Sequence, residues 1–112
     1  MRIYLAGPMT GVKDFNYPAF DKAAKRLRQN GNFVFSPADN DRYVLGLDAA
    51  SEIDKLTGKE QYEFRRIALA HDLEWICRYA DSVALLPGWR QSTGATAEYY
   101  AALALNLPII YL

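Results

Sequence analysis

The sequence contains one cysteine, Cys77, and one histidine, His71, and its 13 basic and 13 acidic side chains cancel to a net charge of zero at pH 7. A single thiol excludes an intramolecular disulfide framework. It also excludes a Cys-rich zinc site, and no second His or Cys stands at ligand spacing from His71. Charge neutrality argues against a general binder of nucleic acid polymers or of anionic membrane surfaces, since neither would attract the chain non-specifically. Long apolar runs are absent too. The most apolar tract, residues 101–112, is interrupted by Asn106 and Pro108 and is too short to span a bilayer. The opening MRIYLAG has no basic segment followed by a long apolar stretch, so a reduced cytoplasm is the expected location. Neither a GxGxxG fingerprint nor a Walker loop occurs, which leaves a dinucleotide or NTPase reading without support.

What is present suits a single domain over residues 1–112. The chain is 51% hydrophobic and 23% charged, a globular rather than a disordered composition. At this length roughly two-thirds of the unfolded surface can be buried, enough for one core.

Strand and helix signals alternate. Arg2 to Ala6 is an apolar run ended by Gly7-Pro8 and reads as a buried strand. A helix opens at Tyr17-Pro18 with Asn16 as its expected cap, and Phe20, Ala23, Ala24 and Leu27 form one apolar stripe opposite Lys22, Lys25, Arg26 and Arg28. Asn30-Gly31 ends it, and Phe33 to Phe35 is a second strand closed by Ser36-Pro37. The stretch 38–61 is polar and expected to be irregular, with a helical turn or two around 47–56, either a lid over a site or a plain insertion. A long helix is expected from Tyr62 to Tyr79, a third strand over 81–86 halted by Pro87-Gly88, an alanine-rich helix over 94–106 and a last strand over 108–112. This alternation predicts a flavodoxin-like (Rossmann-like) α/β three-layer sandwich, with a parallel sheet of about four strands in the order 2-1-3-4. Ligands of such sheets sit beyond the carboxyl ends of the strands where the order reverses. That places the crevice between strands one and three, bounded by Gly7, Pro8, Met9, Thr10 and Gly11 on one side and by residues 87–92 on the other.

Two carboxylates stand on inward faces. At about 100° per residue, Asp72 falls within the apolar arc formed by Phe64, Ala68, Leu69, Leu73, Trp75, Ile76 and Tyr79. Glu98 shares a face with Ala101, Ala102 and Leu105 and lies towards the start of its helix, where free N–H groups favour the ionised form. Each has a structural reading: Asp72 satisfying a backbone group or an arginine, Glu98 reaching solvent. Together, an ionised nucleophile and a buried acid are how carboxylates divide their roles in glycosidic-bond chemistry. Ser92 and Gly94 precede the Glu98 helix and suit either an ordinary N-cap or an anion site. Trp89, after Gly88, either stacks on a base or covers the strand end. His71 reads as a solvated helix residue, Cys77 as a small core filler, and Asp39, Asn40, Asp41 and Arg42 either as a charged segment reaching over the site or as an ordinary surface loop.

Ile3-Tyr4-Leu5-Ala6-Gly7-Pro8, then His71-Asp72-Leu73 with Ala80-Asp81 beyond, then Ser92-x-Gly94-x-x-x-Glu98 resembles the nucleoside 2-deoxyribosyltransferase superfamily through nearly the whole chain. AGPMTG near the start and LPGW before the Glu helix are similar to its short phage and bacterial members, related to the 2′-deoxynucleoside 5′-phosphate N-hydrolases. The resemblance implies cleavage of an N-glycosidic bond without metal or organic cofactor. Glu98 would be the nucleophile, Tyr4 would hold it in place through its hydroxyl, and Asp72 would assist departure of the base. Ser92, where transferases on free nucleosides carry Asp, implies a nucleoside 5′-monophosphate, because a carboxylate repels a phosphate that a hydroxyl and helix N–H groups hold. Thr10 stands where the hydrolases place an arginine, and Arg90 or Arg42 is the candidate substitute. The implied reaction is hydrolysis in preference to base exchange, with transfer between free nucleosides and a non-catalytic nucleotide sensor as alternatives. Members assemble as dimers or larger, so a homo-oligomer is expected.

Overall fold

The structure, a computed structural model, describes residues 1–112. Strands β1 (Arg2–Ala6), β2 (Phe33–Phe35), β3 (Ser82–Leu85) and β4 (Ile109–Tyr111) form one all-parallel sheet in the order β2-β1-β3-β4. Helices α1 (Tyr17–Gln29), α2 (Pro37–Leu45), α3 (Ala49–Asp54), α4 (Gly58–Tyr79) and α5 (Thr93–Ala104) connect and cover it. This is the layered α/β architecture and the strand order that the alternation of signals predicts.

Strand β1 is central, and Ile3, Tyr4, Leu5 and Ala6 are all fully buried. Successive side chains of a strand point to opposite faces, and that alternation divides the core. Ile3 and Leu5 pack with Tyr17, Phe20, Ala24 and Leu27 of α1 and with Val34. Tyr4 and Ala6 face the other way, against Ile76 of α4 and Ala95 and Ala102 of α5. Burial of each Leu, Ile or Phe contributes about 1.5–3 kcal/mol, and both layers pack on side chains of β1 and β3. The register aligns Tyr4 with Val83 and Ala6 with Leu85, bringing the carboxyl ends of β1 and β3 level.

Residues 38–61 differ from expectation, being mostly helical. Pro37 occupies the first turn of α2, where its missing N–H has no helical partner to lose. Ala38, Asp41 and Leu45 then repeat at i, i+3 and i+7 on the inward side. Ala49 and Ile53 anchor α3. Helix α4 begins at Gly58 rather than Tyr62, because Thr57 and Glu60 form a reciprocal capping box: Glu60 N–H donates to Thr57 Oγ1 at 3.2 Å and Thr57 N–H to Glu60 Oε1 at 3.0 Å. Cys77 is exposed rather than in the core, since α4 turns only Asp72 and Ile76 fully inward.

Asn16 occupies the cap position of α1 without capping it. Its Nδ2 donates instead to the Pro8 carbonyl at 3.0 Å, pinning the turn after β1. Asp14, Phe15 and Asn16 hold φ of 53°, 51° and 61° in succession. Left-handed backbone costs roughly 1–2 kcal/mol per non-glycine residue, so this turn is maintained by its surroundings.

Candidate active site

Tyr4, Asp72 and Glu98 converge on one face of the sheet. The strand alternation aims Tyr4 at the α4–α5 layer, and its hydroxyl donates to Glu98 Oε2 at 2.5 Å in a buried contact. Glu98 is 5% exposed and lies inward with Ala95 and Ala102, not with Leu105, which reaches solvent. Asp72, 8% exposed, faces them from the middle of α4.

Helix α5 starts at Thr93, which puts Glu98 in its second turn, beyond the free N–H groups of the first. The support expected from the helix start therefore comes from Tyr4 instead. Burial, and then the charge of Asp72, push the Glu98 carboxyl well above the usual carboxylate range, while the Tyr4 hydrogen bond pulls the other way. Burial also raises Asp72, to about 7, with the nearby Tyr4 hydroxyl opposing and the charge of Asp41 adding to the rise. The Tyr4 hydroxyl is pushed up by burial and by both carboxylates and remains a neutral donor. Both carboxyls thus resist ionisation, and the distinction between them is the short hydrogen bond that Glu98 alone receives.

The two glycine-bearing turns meet at the carboxyl ends of β1 and β3. A Cβ on Gly7 would lie 2.7 Å from Leu86 Cβ, so only glycine lets the turns approach this closely. The Pro8 ring lies 3.5 Å from where a Gly88 Cβ would stand, and Gly88 itself has φ of +85°. Met9 is half-buried against the α1 side of the core, and Thr10 is exposed. Ser92 Oγ accepts the Ala95 N–H at 3.1 Å as the N-cap of α5, with Gly94 beside it. The Trp89 ring is in contact with Tyr99 at 4.6 Å between centroids and carries the Arg90 guanidinium 5.2 Å from its centre. Of the two arginines considered for an anion, Arg42 is taken by Asp21, at 2.8 Å through both nitrogens, and by Asp39 at 3.6 Å. Arg90 makes no ion pair.

Two surface clefts are present, the first of them lined by Gly88, Trp89 and Arg90. One of about 260 Å³ runs between the 85–91 segment and Tyr111 and Leu112, and one of about 320 Å³ lies between the start of α1 and the α2–α3 connection. Neither is lined by Tyr4, Asp72 or Glu98. No group of three or more His, Cys, Asp or Glu is placed to hold a metal ion, and no helix is long and apolar enough to cross a membrane.

Asp41, expected as part of a charged segment, is buried instead. It is 6% exposed and its Oδ2 accepts the Tyr17 hydroxyl at 2.6 Å. A helix starting at Pro37 is the signal that finds it, since Ala38-x-x-Asp41 then shares an inward face. Ser36 Oγ, buried just before that helix, has no hydrogen-bond partner.

Among curated proteins none matches this chain by sequence. Among solved structures, a 2-deoxyribosyltransferase from the psychrotolerant bacterium Bacillus psychrosaccharolyticus is similar, with 28% identity and a TM-score of 0.68 over 99% of this chain and 71% of that one. The fold is therefore that of the nucleoside deoxyribosyltransferases, as the motifs at Tyr4, Asp72 and Glu98 imply. Residues 1–111 match the family described as Domain of unknown function (DUF4406), and the chain belongs to that family of this fold.

Proposed function

We propose that this protein breaks the N-glycosidic bond of (2′-deoxy)nucleoside 5′-monophosphates and releases the free base, with water as the preferred acceptor. The observation that carries the reading is the buried Tyr4–Glu98 hydrogen bond, 2.5 Å long, with Asp72 raised towards neutrality in the same cluster. The likeness to a 2-deoxyribosyltransferase supports the same bond as the target.

Glu98 attacks the anomeric carbon as the carboxylate, the form that the Tyr4 hydrogen bond favours against burial. A C–O bond forms as the C–N bond breaks, the electron pair goes to the base nitrogen, and Asp72 supplies the proton that lets the base leave neutral. Positive charge developing on the sugar ring favours carboxylate on Glu98 at that moment, and Tyr4 keeps the attacking group aligned. Water then attacks the glycosyl ester, its proton returns to Asp72, and Glu98 is released. The 5′-phosphate is assigned to the start of α5, with Ser92 and the N–H groups of the first turn as its partners and Arg90, whose guanidinium lies over Trp89 and is occupied by no carboxylate, as the cation of the preceding turn. Gly7, Pro8, Met9 and Thr10 with Gly88, Trp89 and Gly94 form the walls on this reading. A homo-oligomer belongs to it as well, supported by Tyr43 and Leu47, which are 90% and 91% exposed around the end of α2.

The test is chromatographic. Wild type and Glu98→Gln are incubated with each ribo- and deoxyribonucleoside and its 5′-monophosphate, and free base is measured. Release from monophosphates by wild type alone is the expected result, and no release would exclude the hydrolase. The structural likeness favours transfer between free nucleosides as the second reading. It predicts that a second base added to the assay appears as a new nucleoside. Stabilisation by nucleotides without any base release would instead mark a binding module.

A further inference from the structure

The turn after β1 hangs on a single clasp. Backbone pairing towards β3 ends at the Ala6 carbonyl, which accepts the Leu86 N–H at 2.8 Å. The chain then leaves the sheet through Gly7 and Pro8, and the next backbone bond runs from the Val12 N–H to the Met9 carbonyl at 3.2 Å. Between those two points the only hydrogen bond to the turn is the one that Asn16 Nδ2 donates to the Pro8 carbonyl, at 3.0 Å. Pro8 and Asn16 thus close the neck of a loop whose tip, Thr10 to Asp14, is exposed.

Asn16 gives up an ordinary role to make that bond. At the start of a helix its side chain would accept an N–H of the first turn, from a backbone in the extended region. Here Asn16 is left-handed, with φ of 61° and ψ of 16°, and α1 has no side-chain cap. The left-handed run begins at Asp14 and Phe15. Phe15 secures it from the other side: its N–H donates to the Val12 carbonyl at 3.0 Å, and its ring packs on the α1 side of the core, 6.3 Å from that of Tyr17. A run of unfavourable backbone conformations and a forgone cap persist only where the surroundings impose them, and such departures from local preference collect at functional sites.

What the clasp holds is a wall of the crevice. The Pro8 ring reaches the turn after β3, 3.5 Å from the point that a Gly88 Cβ would occupy, and Trp89 and Arg90 follow Gly88 directly. Freed at its carbonyl, Pro8 would no longer fix the gap between the two turns.

We propose that Asn16 is a positioning residue, which by holding the Pro8 carbonyl keeps the 7–11 turn in the form that receives the nucleotide. This rests on the reading of the crevice as the nucleotide site. Asn16 touches no reacting atom. Its loss makes the receiving form rarer, which weakens apparent affinity in proportion and leaves the chemical step alone.

The experiment compares wild type with Asn16→Gly and Asn16→Asp. Glycine adopts left-handed backbone without steric cost. Aspartate keeps the shape of Asn16 and its tolerance of that conformation, but brings an acceptor instead of a donor to the Pro8 carbonyl. Both should fold, and Asn16→Gly should melt close to wild type. Amide hydrogen exchange is read by NMR at Val12 and Phe15, and base release from nucleoside 5′-monophosphates gives KM and kcat. Loss of one hydrogen bond should speed exchange at both amides and raise KM roughly three- to tenfold, with kcat unchanged. Exchange that stays at the wild-type rate in the folded variants overturns the proposal, as does faster exchange with KM unmoved or a loss confined to kcat. A wild type that releases no base removes the hydrolase reading, and the dissociation constants of the same monophosphates, followed by tryptophan fluorescence, then decide. Weaker binding by both variants upholds the clasp, and equal binding overturns it. A wild type that binds none of the monophosphates overturns both readings.

Discussion

Removing the Tyr4 hydroxyl takes from Glu98 its one hydrogen bond within the protein and leaves its carboxyl buried. A hydrogen bond to a charged group contributes about 1.5–3 kcal/mol, so Tyr4→Phe should lower kcat roughly ten- to hundredfold, measured as base release under saturating nucleotide. Asp72 gives a prediction about stability. Its carboxyl titrates at 3.8 when unperturbed and at about 7 in the fold, so the folded state holds a proton that the unfolded chain has lost between those values. Stability associated with Asp72 is complete below the lower value and is lost as pH rises through the upper one. Asp72→Asn should therefore flatten the decline of melting temperature from pH 4 to pH 7. At pH 8 it should stabilise the protein by up to about 4 kcal/mol, while base release is lost. A variant that melts below wild type at pH 8 would mean that the ionised Asp72 has a partner of its own. Both carboxylates were legible as inward residues from helical spacing. The hydrogen bond that distinguishes them was not legible in spacing, because Tyr4 and Glu98 are 94 residues apart and no periodicity links them, and only the family resemblance implied it.

At the level of the elements, Gly7 and the capping box at Thr57 make contrasting cases. Gly7→Ala would place a methyl 2.7 Å from Leu86 Cβ and force β1 away from the end of β3. Overpacking of this kind costs about 1–3 kcal/mol, and because the displaced turn borders the site, melting temperature and base release should fall together. Thr57→Ala removes a cap worth about 1 kcal/mol at the far end of α4 and should lower denaturant stability with base release unchanged. Thr57-x-x-Glu60 is a signature readable in the sequence, and it moves the start of α4 back to Gly58. Helices α2 and α3 were harder to read because each is short and presents few apolar residues, Ala38 and Leu45 in one and Ala49 and Ile53 in the other. Their stability comes from packing on the rest of the molecule rather than from propensity. Asp41 was read only as part of a charged segment within reach of the site, since a residue has an inward face only once its helix is recognised.

For the whole molecule, the question is what covers Tyr43, Val44 and Leu47, which expose 90%, 60% and 91% of their surface at the end of α2 and just beyond it. Singly, exposed apolar residues are ordinary, but a cluster marks an interface. Sedimentation should reveal a homo-oligomer that Leu47→Asp shifts towards monomer, and a wild type that sediments as a monomer at all concentrations would remove that expectation. Much of the architecture followed from the sequence by itself: the alternation of strands and helices, the parallel sheet with β1 at its centre, and the inward turn of Asp72 and Glu98. These are local properties, because a strand's apolar run or a helix's stripe is set by neighbours a few residues away. Only the tertiary structure decided which inward groups meet. It closed the Tyr4–Glu98 contact that the resemblance implied, aimed Asn16 at the Pro8 carbonyl rather than at its own helix, and set Asp41 on Tyr17. Contacts between distant segments depend on how the layers stack and on the register between strands, which spacing along a single chain does not encode.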